Sequence, residues 1–453
     1  MVRGRKTIWN RTWARLVGLL IALGCLAAWP AAAQDPSAGQ APQPFAIHLQ
    51  ATSVTQAHPA FTSPFSGPYS LSAPASARTT NDITLYVGAR PWAGAELWLD
   101  PELDQGFGLS DTLGVAGFPS GEAYKVGKQA PYVKLPRLFL RQTFDLGGAL
   151  LPVKPDQNVL GGAQSADRVV LWLGKFSVVD VFDTNRYAHD PRADFLNWTL
   201  IDTGTFDYAA DSWGFTYGGA AEWYQGDWTL RAGLFDLSEA PNSPTLDASF
   251  GQFQIDAEIE RRFSLGGRDG AVRVTGFLSR AHMGDLADAL RQAQLTGTTP
   301  DLANVRRYAG RGGVSLNLEQ ALSDDLGLFV RAGVADGSQE VYEFTDVDQT
   351  AAAGLSLTGQ RWGRADDTVG LAAVVNQISS LRRRYLAAGG LGLLIGDGRL
   401  PREGAESIVE TSYNWAPIHA VHVTADYQFI ANPAYDAARG PVSVFGLRLH
   451  GQY

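Results

Sequence analysis

The densest group of side chains able to bind a ligand lies between residues 182 and 198. This stretch reads FDTNRYAHDPRADFLNW and places carboxylates, guanidinium groups, amides and a histidine before a terminal tryptophan. Its strongest candidates are Asp183, Asn185, Arg186, Arg192, Asp194 and Trp198. Together they offer hydrogen-bond donors and acceptors beside an aromatic ring, which suits noncovalent recognition of a polar molecule. The alternative is a solvated loop in which Asp and Asn only form turns and caps.

Motifs for catalysis or for a cofactor are missing from the sequence. It contains no G-x-S-x-G nucleophile elbow and no H-E-x-x-H metal motif. Residues 121–128 resemble a phosphate-binding loop only loosely, because the spacing is wrong and Gln129 stands where Ser or Thr is needed. Asp and Glu are numerous, but no spacing marks a glycosidase pair. The sequence therefore predicts no enzyme, no cofactor and no metal site.

Composition and charge narrow the choice of partners. The chain has 453 residues, of which 18% are charged, and its formal net charge is −9. Such an acidic chain lacks the extended basic face that nucleic acid requires, so we expect no nucleic-acid partner. Its single cysteine excludes a disulfide framework.

The N-terminus has the pattern of a secretory signal peptide. Basic residues from Arg3 to Arg15 precede an apolar run over 16–28, and three alanines at 31–33 supply a cleavage site. The apolar run is shorter than the roughly 20 residues that span a bilayer. We expect residues 1–33 to be removed. A lipoprotein site at Cys25 is less favoured, because Ala22 stands where such sites prefer Leu.

From residue 45 onward, apolar and polar residues alternate with a period of two. Val314, Leu316 and Leu318 share one side of a predicted strand, while Asn317 and Glu319 share the other. Sixteen such segments can be counted, near 45–56, 81–90, 95–100, 131–143, 168–181, 213–225, 228–237, 251–263, 270–281, 309–321, 325–335, 349–361, 367–379, 404–416, 418–430 and 440–452. The segments at 95–100, 131–143 and 168–181 are the least regular.

From residue 213 onward, the connections between these segments alternate between short turns and long loops. This asymmetry is typical of an outer-membrane barrel with short periplasmic turns and long extracellular loops. The link at 144–167 lies on the short side and breaks the pattern. A soluble β-sandwich or β-helix is the alternative, but neither predicts such asymmetry. The expected fold is an all-β, transmembrane, antiparallel barrel of about sixteen strands. We assign 34–44 to a short N-terminal segment and 45–453 to a single barrel domain.

Several short motifs resemble the OprB-type carbohydrate-selective porins. They are residues 182–197, LNLEQ at 316–320, GQRWGR at 359–364, IGDG at 395–398, DYQ at 426–428 and RGP at 439–441. They occur in order from about residue 45 to the C-terminus. The resemblance implies a Gram-negative outer-membrane pore for sugar uptake. It also implies that the third long loop, residues 182–212, folds into the lumen and narrows it.

Strand parity selects wall residues that would face this loop. If the apolar side of each strand meets lipid, the lumen receives Arg231, Glu258, Arg311, Asn317, Glu319, Arg331 and Glu410. We expect Arg192, Asp194 and Trp198 to form a constriction opposite Arg311, Glu319 and Arg331. There a sugar would exchange hydrogen bonds and stack on Trp198. Alternatively, these residues only line a water-filled pore.

The expected function is passive, carbohydrate-favouring diffusion of small sugars, including monosaccharides, into the periplasm. A general porin for ions and small polar solutes is the main alternative, and a barrel enzyme is less favoured. The expected partners are small sugars, outer-membrane lipid and lipopolysaccharide, and further copies of the chain in a homo-oligomer.

Overall fold

The fold is a closed antiparallel barrel, seen in a computed structural model that describes residues 41–123 and 127–453. Its sixteen strands are β1 Phe45–His58, β2 Ser76–Ala89, β3 Ala95–Gly106, β4 Lys128–Val153, β5 Gly162–Phe176, β6 Thr216–Gln225, β7 Trp228–Asp236, β8 Phe253–Leu265, β9 Arg268–Met283, β10 Arg307–Ala321, β11 Leu326–Ala335, β12 Gln349–Gly359, β13 Arg364–Gln377, β14 Glu406–Ile418, β15 Val421–Ala431 and β16 Val442–Gln452. The expected signal peptide, residues 1–33, lies outside the described residues.

Every strand pairs with its neighbours in the chain, and β1 closes the sheet by pairing with β16. That closing register runs from Gln50 opposite Gln452 to Ala57 opposite Phe445. Closure leaves no unpaired sheet edge, which a membrane interior would not tolerate. The predicted sixteen-stranded barrel is confirmed.

The two faces of the barrel wall differ as the alternation requires. Val314 and Leu316 on β10 are 47% and 41% exposed, whereas Asn317 between Leu316 and Leu318 is fully buried. Large apolar side chains are exposed in the same way on most of the other strands. A continuous apolar outer surface of this extent is stable only against lipid.

The connections also alternate in length around the barrel. Short turns, such as 226–227 and 266–267, lie at the rim that holds both ends of the barrel domain. Long connections, such as 177–215 and 378–405, lie at the other rim, and some carry short helices. These are α1 Trp198–Ile201, α2 Leu286–Thr296 and α3 Ser380–Ala387. Among the described residues, no helix has the length and apolar character needed to cross a membrane.

The irregular link expected at 144–167 is mostly strand. β4 continues to Val153 and β5 begins at Gly162, so the true connection is only 154–161. Two register shifts between Asp145 and Leu150 break the alternation, and this hid the strand in the sequence.

A charge placed on the outer face tests this orientation. Val314 lies at the middle of β10 and faces outward, so Val314→Arg should destabilise the folded barrel by about 2–4 kcal/mol. Denaturant titration in lipid vesicles measures the loss. Val314→Ala is the control and should cost much less; equal losses would contradict the outward placement.

Candidate functional site

The connection between β5 and β6, residues 177–215, lies inside the barrel. Every residue from 195 to 212 is buried, and the segment hydrogen-bonds to inward-facing side chains of distant strands. We call residues 177–215 the lumenal loop. It divides the interior into a packed side, against β8 to β16, and an open side, against β2 to β5.

The buried carboxylate of Asp183 is the main anchor on the packed side. Its Oδ1 accepts a hydrogen bond from Asn317 Nδ2 at 2.7 Å, and Arg331 Nε lies 3.6 Å from its Oδ2. Within the loop, the backbone N–H of Thr203 also donates to Oδ2, at 2.7 Å. The backbone N–H of Asp183 donates to Glu258 Oε2 at 2.8 Å. Because Arg331 and Asp183 are both fully buried, this cluster holds the loop and offers no surface to a solute.

A second anchor involves Glu410 on β14 and Arg448 on β16. Glu410 accepts the backbone N–H groups of Leu196 and Asn197, at 2.6 and 2.9 Å, just before helix α1. Arg448 donates to three backbone carbonyl oxygens in residues 191–194. These bonds satisfy loop backbone groups that would otherwise be buried without partners.

The start of the loop contacts β10 directly. Asn185 Nδ2 donates to Asn317 Oδ1 at 2.7 Å. The backbone N–H of Arg186 donates to Glu319 Oε2 at 2.8 Å. Asn185, Asn317 and Glu319 therefore fix the loop in place.

Arg311 and Arg231 are also committed to internal ion pairs. Arg311 is 1% exposed, and its Nη1 lies 3.3 Å from Asp207 Oδ2 in the lumenal loop. Arg231 pairs with wall carboxylates, at 2.6 Å from Glu258 Oε1 and 2.9 Å from Glu222 Oε2. The wall residues selected by parity thus bind the loop or one another, which differs from the expected constriction.

Asp194 shapes a turn within the loop. Its Oδ2 accepts the backbone N–H groups of His189 and Asp190, at 2.9 and 3.0 Å. Burial raises the pKa of Asp194 to about 6. The carboxylate is directed at its own backbone rather than at the lumen.

Trp198 borders the open side by its edge alone. Phe118 stacks on one side of its ring system at 5.2 Å between centroids, and Phe344 stacks at 5.0 Å. The indole is 3% exposed. Trp198 therefore packs the loop and has no free face on which a sugar would stack, contrary to the expectation from its residue type.

Arg192 reaches from the loop across the lumen to the other wall. Its guanidinium lies 3.1 Å from Glu102 Oε2 and 3.4 Å from Asp82 Oδ1. Its Nε also lies 3.2 Å from Glu122 Oε1, in the connection between β3 and β4. Arg192 thus forms part of the boundary of the open side.

A cavity of about 450 Å³ remains between the lumenal loop and β2, β4 and β5. Its wall side is formed by Tyr86, Arg137, Phe139, Arg141 and Trp172. Its loop side includes Asp180, His189, Arg192, Trp198 and Asp202. The volume lies within the roughly 300–1,000 Å³ typical of small-molecule sites. Of the residues selected from the sequence, Arg192 and Trp198 border this cavity.

Each arginine at the cavity has a carboxylate partner. Arg137 binds Asp180 through two hydrogen bonds of 2.8 and 2.6 Å. Arg141 pairs with Glu96 at 2.5 Å. Together with the pairing of Arg192, these contacts place many hydrogen-bond donors and acceptors at the cavity. Positive and negative groups are paired, so the cavity has no ring of residues with one charge sign.

Sequence reasoning missed Arg137, Arg141 and Trp172, although a signal was present. Leu138 is 43% exposed on the outer face, so parity turns Arg137 and Arg141 inward. Their segment has an irregular sequence pattern because β4 runs past its partner β3 and changes register.

Asp202 and His189 form a further buried pair beside the cavity. His189 Nδ1 lies 3.9 Å from Asp202 Oδ1, and neither atom has a hydrogen-bond partner among the described residues. Burial, with the nearby charge of Asp183, raises the pKa of Asp202 to about 8. Burial, with the charge of Arg331, lowers the pKa of His189. The pair is therefore mostly uncharged near neutral pH.

Comparison with known proteins assigns the barrel to a family. The model of the OprB family, described as carbohydrate-selective porin, matches residues 75–453. The chain belongs to the OprB family of carbohydrate-selective porins. It is a sugar-favouring porin of the Gram-negative outer membrane, a channel rather than an enzyme, and sugars are its substrates. A search of the curated proteins finds no match.

Solved structures show the same fold. The high-pH structure of Pseudomonas putida OprB is 16% identical with a TM-score of 0.68, covering 90% of this chain and 94% of that chain. The low-pH structure of the same protein is 11% identical with a TM-score of 0.50, covering 90% and 93%. The outer-membrane channel DcaP of Acinetobacter baumannii is 10% identical with a TM-score of 0.51, covering 93% and 100%. At these identities the likeness concerns the fold.

Removing the Arg331 guanidinium should release the lumenal loop. Arg331→Met leaves the buried Asp183 carboxylate without its cation, so we expect a loss of about 3–5 kcal/mol in the free energy of unfolding. Denaturant titration in vesicles measures this loss, and single-channel records should show larger, noisier currents. As control, Arg268→Met breaks an exposed pair with Asp324 and should cost at most about 1 kcal/mol. Similar losses for both variants would refute the anchor.

Replacing Asp202 should change the pH dependence of stability. The unfolded aspartate ionises near pH 3.9, whereas folded Asp202 has a pKa of about 8, so the wild type loses stability as pH rises through this interval. Asp202→Asn does not ionise. Its thermal midpoint, relative to the wild type, should therefore rise between about pH 4 and pH 8 and then level off. Asp227→Asn, at an exposed turn, should show no such trend.

Proposed function

We propose that sugars cross the barrel through the cavity beside the lumenal loop, bound by Arg137, Arg141 and Arg192 with their carboxylate partners. The observation that carries this proposal is the pairing of every cavity arginine with a carboxylate. A sugar hydroxyl both donates and accepts hydrogen bonds, so it fits between such groups. Trp213, whose ring is only half-buried at the cavity, offers apolar surface to the C–H groups of the sugar.

Weak binding suits this task. Each sugar–protein hydrogen bond replaces one to water and contributes only about 0.5–1.5 kcal/mol. A few such contacts give millimolar affinity, near −4 kcal/mol. A conducting site must release its solute as readily as it binds it.

A general porin for ions is the second candidate, and the charge arrangement speaks against it. Ion selectivity requires rings of one charge sign, whereas a neutral solute experiences no net force in the field. The paired cations and anions at this cavity favour the neutral solute.

Breaking one pair from either side should shift selectivity in opposite directions. Arg137→Gln leaves Asp180 uncompensated, so we expect a shift toward cations and weaker sugar block of ion current. Asp180→Asn leaves Arg137 uncompensated and should shift selectivity toward anions. Reversal potentials in a salt gradient and glucose titration of single-channel current measure both effects.

The matched control is Arg268→Gln, which removes the same charge at a periplasmic turn outside the lumen. It should leave sugar block unchanged. If Arg137→Gln also leaves sugar block unchanged, sugars do not bind at this cavity and the proposed path fails.

We further propose that the chain has no catalytic activity, that residues 1–33 direct its export, and that its outer face contacts lipid and lipopolysaccharide. Hydrolysis assays on lipid and glycoside substrates test the first point, and N-terminal sequencing of the mature protein tests the second. A homo-oligomer would use the same apolar outer face. Light scattering in detergent gives its copy number.

A further inference from the structure

The β4–β5 hairpin continues past the periplasmic rim of the barrel. Beyond Thr143, β4 pairs only with β5, and residues 144–151 are exposed on both faces. Two register shifts occur here, and Gly147 and Gly148 have positive φ angles of 116° and 83°. Bulges with glycine bend a strand pair, so the hairpin changes direction below the barrel.

The tip of this hairpin, residues 154–161, returns to the mouth of the barrel. The backbone N–H of Leu160 donates to Glu96 Oε2 at 3.2 Å, and Leu160 is 1% exposed. The backbone N–H of Gln43 donates to the carbonyl oxygen of Gly161 at 2.9 Å. Gln43 precedes β1 and Glu96 is the second residue of β3, so both contacts lie at the periplasmic rim.

Contacts with inward-facing side chains place the tip over the lumen. Arg141 donates to the carbonyl oxygen of Asn158 at 2.9 Å. A tight turn with a backbone bond of 3.0 Å between Asp156 and Val159 shapes the tip. Gln157, Asn158 and Val159 border the same cavity as Arg137 and Arg192.

Glu96 holds the tip and the wall together. Besides the Leu160 N–H, its carboxylate accepts Trp98 Nε1 at 3.1 Å and pairs with Arg141. One carboxylate thus joins β3, β4 and the tip. The tip is fixed in the mouth by side chains that face inward, rather than resting against the outside of the barrel.

We propose that residues 156–159 form a second, size-selecting constriction at the periplasmic exit of the sugar path. A sugar leaving the cavity passes the side chains of Gln157 and Val159, so exit is restricted separately from binding at the arginines. This inference rests on the proposed path through the cavity. Residues 156–159 would then select sugars by size, and this selection would depend on a periplasmic hairpin rather than on the lumenal loop.

Shortening the hairpin tests the constriction. Val153 and Gly162 are paired, so residues 154–161 can be replaced by Asn-Gly, a two-residue turn that suits antiparallel strands. We expect single-channel conductance to rise about 2-fold and the disaccharide-to-monosaccharide ratio in liposome swelling to rise about 5-fold. An unchanged ratio would overturn the proposal.

A milder variant tests the constriction even if the shortened chain does not fold. Gln157→Gly with Val159→Gly removes the side chains that border the cavity and keeps the length of the hairpin. It should raise the same ratio in the same direction. The control, Leu150→Ser with Leu151→Ser, alters exposed positions on the hairpin and should leave the ratio unchanged.

Failure of this inference can be separated from failure of the proposed path. If Arg137→Gln weakens sugar block while both tip variants keep the wild-type disaccharide-to-monosaccharide ratio, the tip has only a structural role. The proposed path through the cavity is then retained. If neither the arginine nor the tip affects sugar passage, both proposals fail.

Discussion

The arrangement of the lumen depends on the buried carboxylate of Asp183. Sixteen strands enclose a space too wide for their own side chains to fill, and the lumenal loop occupies part of this space. A buried segment must find partners for its backbone groups and charges. Asp183 meets this requirement from both sides, since it accepts hydrogen bonds from Thr203 in the loop and Asn317 in the wall. Together with the anchor formed by Glu410 and Arg448, this attachment sets the position of the loop residues at the cavity.

Apart from those that pair within the wall, such as Arg231, many inward polar side chains fall into two groups. Those on β8 to β16, such as Asn317 and Glu410, pair with the loop and behave as part of a protein core. Those on β2 to β5, such as Arg137 and Arg141, face the remaining cavity. The same alternation of residues produces both groups, and the loop decides which group a residue joins.

This division explains what the sequence could predict. Period-two alternation identified the strands and the residues that point inward, because parity depends only on local geometry. It could not show that Arg331 is covered by the loop, since that contact joins residues about 150 positions apart. The aromatic ring of Trp198 indicates a sugar contact, but Phe118 and Phe344, which cover the ring, come from two other connections.

Exposure separates the arginines that hold the structure from those suited to bind sugar. The side chains of Arg331 and its partner Asp183 are both fully buried. Those of Arg137 and Arg141 retain 15% exposure, and their carboxylate partners also keep contact with water. A fully buried pair cannot exchange its partner without leaving a charge unsolvated. A pair that keeps contact with water exchanges one hydrogen bond for a sugar hydroxyl at little cost, because the charge stays solvated throughout. Rigid anchors on one side of the loop and exchangeable pairs on the other therefore allow one barrel to keep its shape while solutes pass.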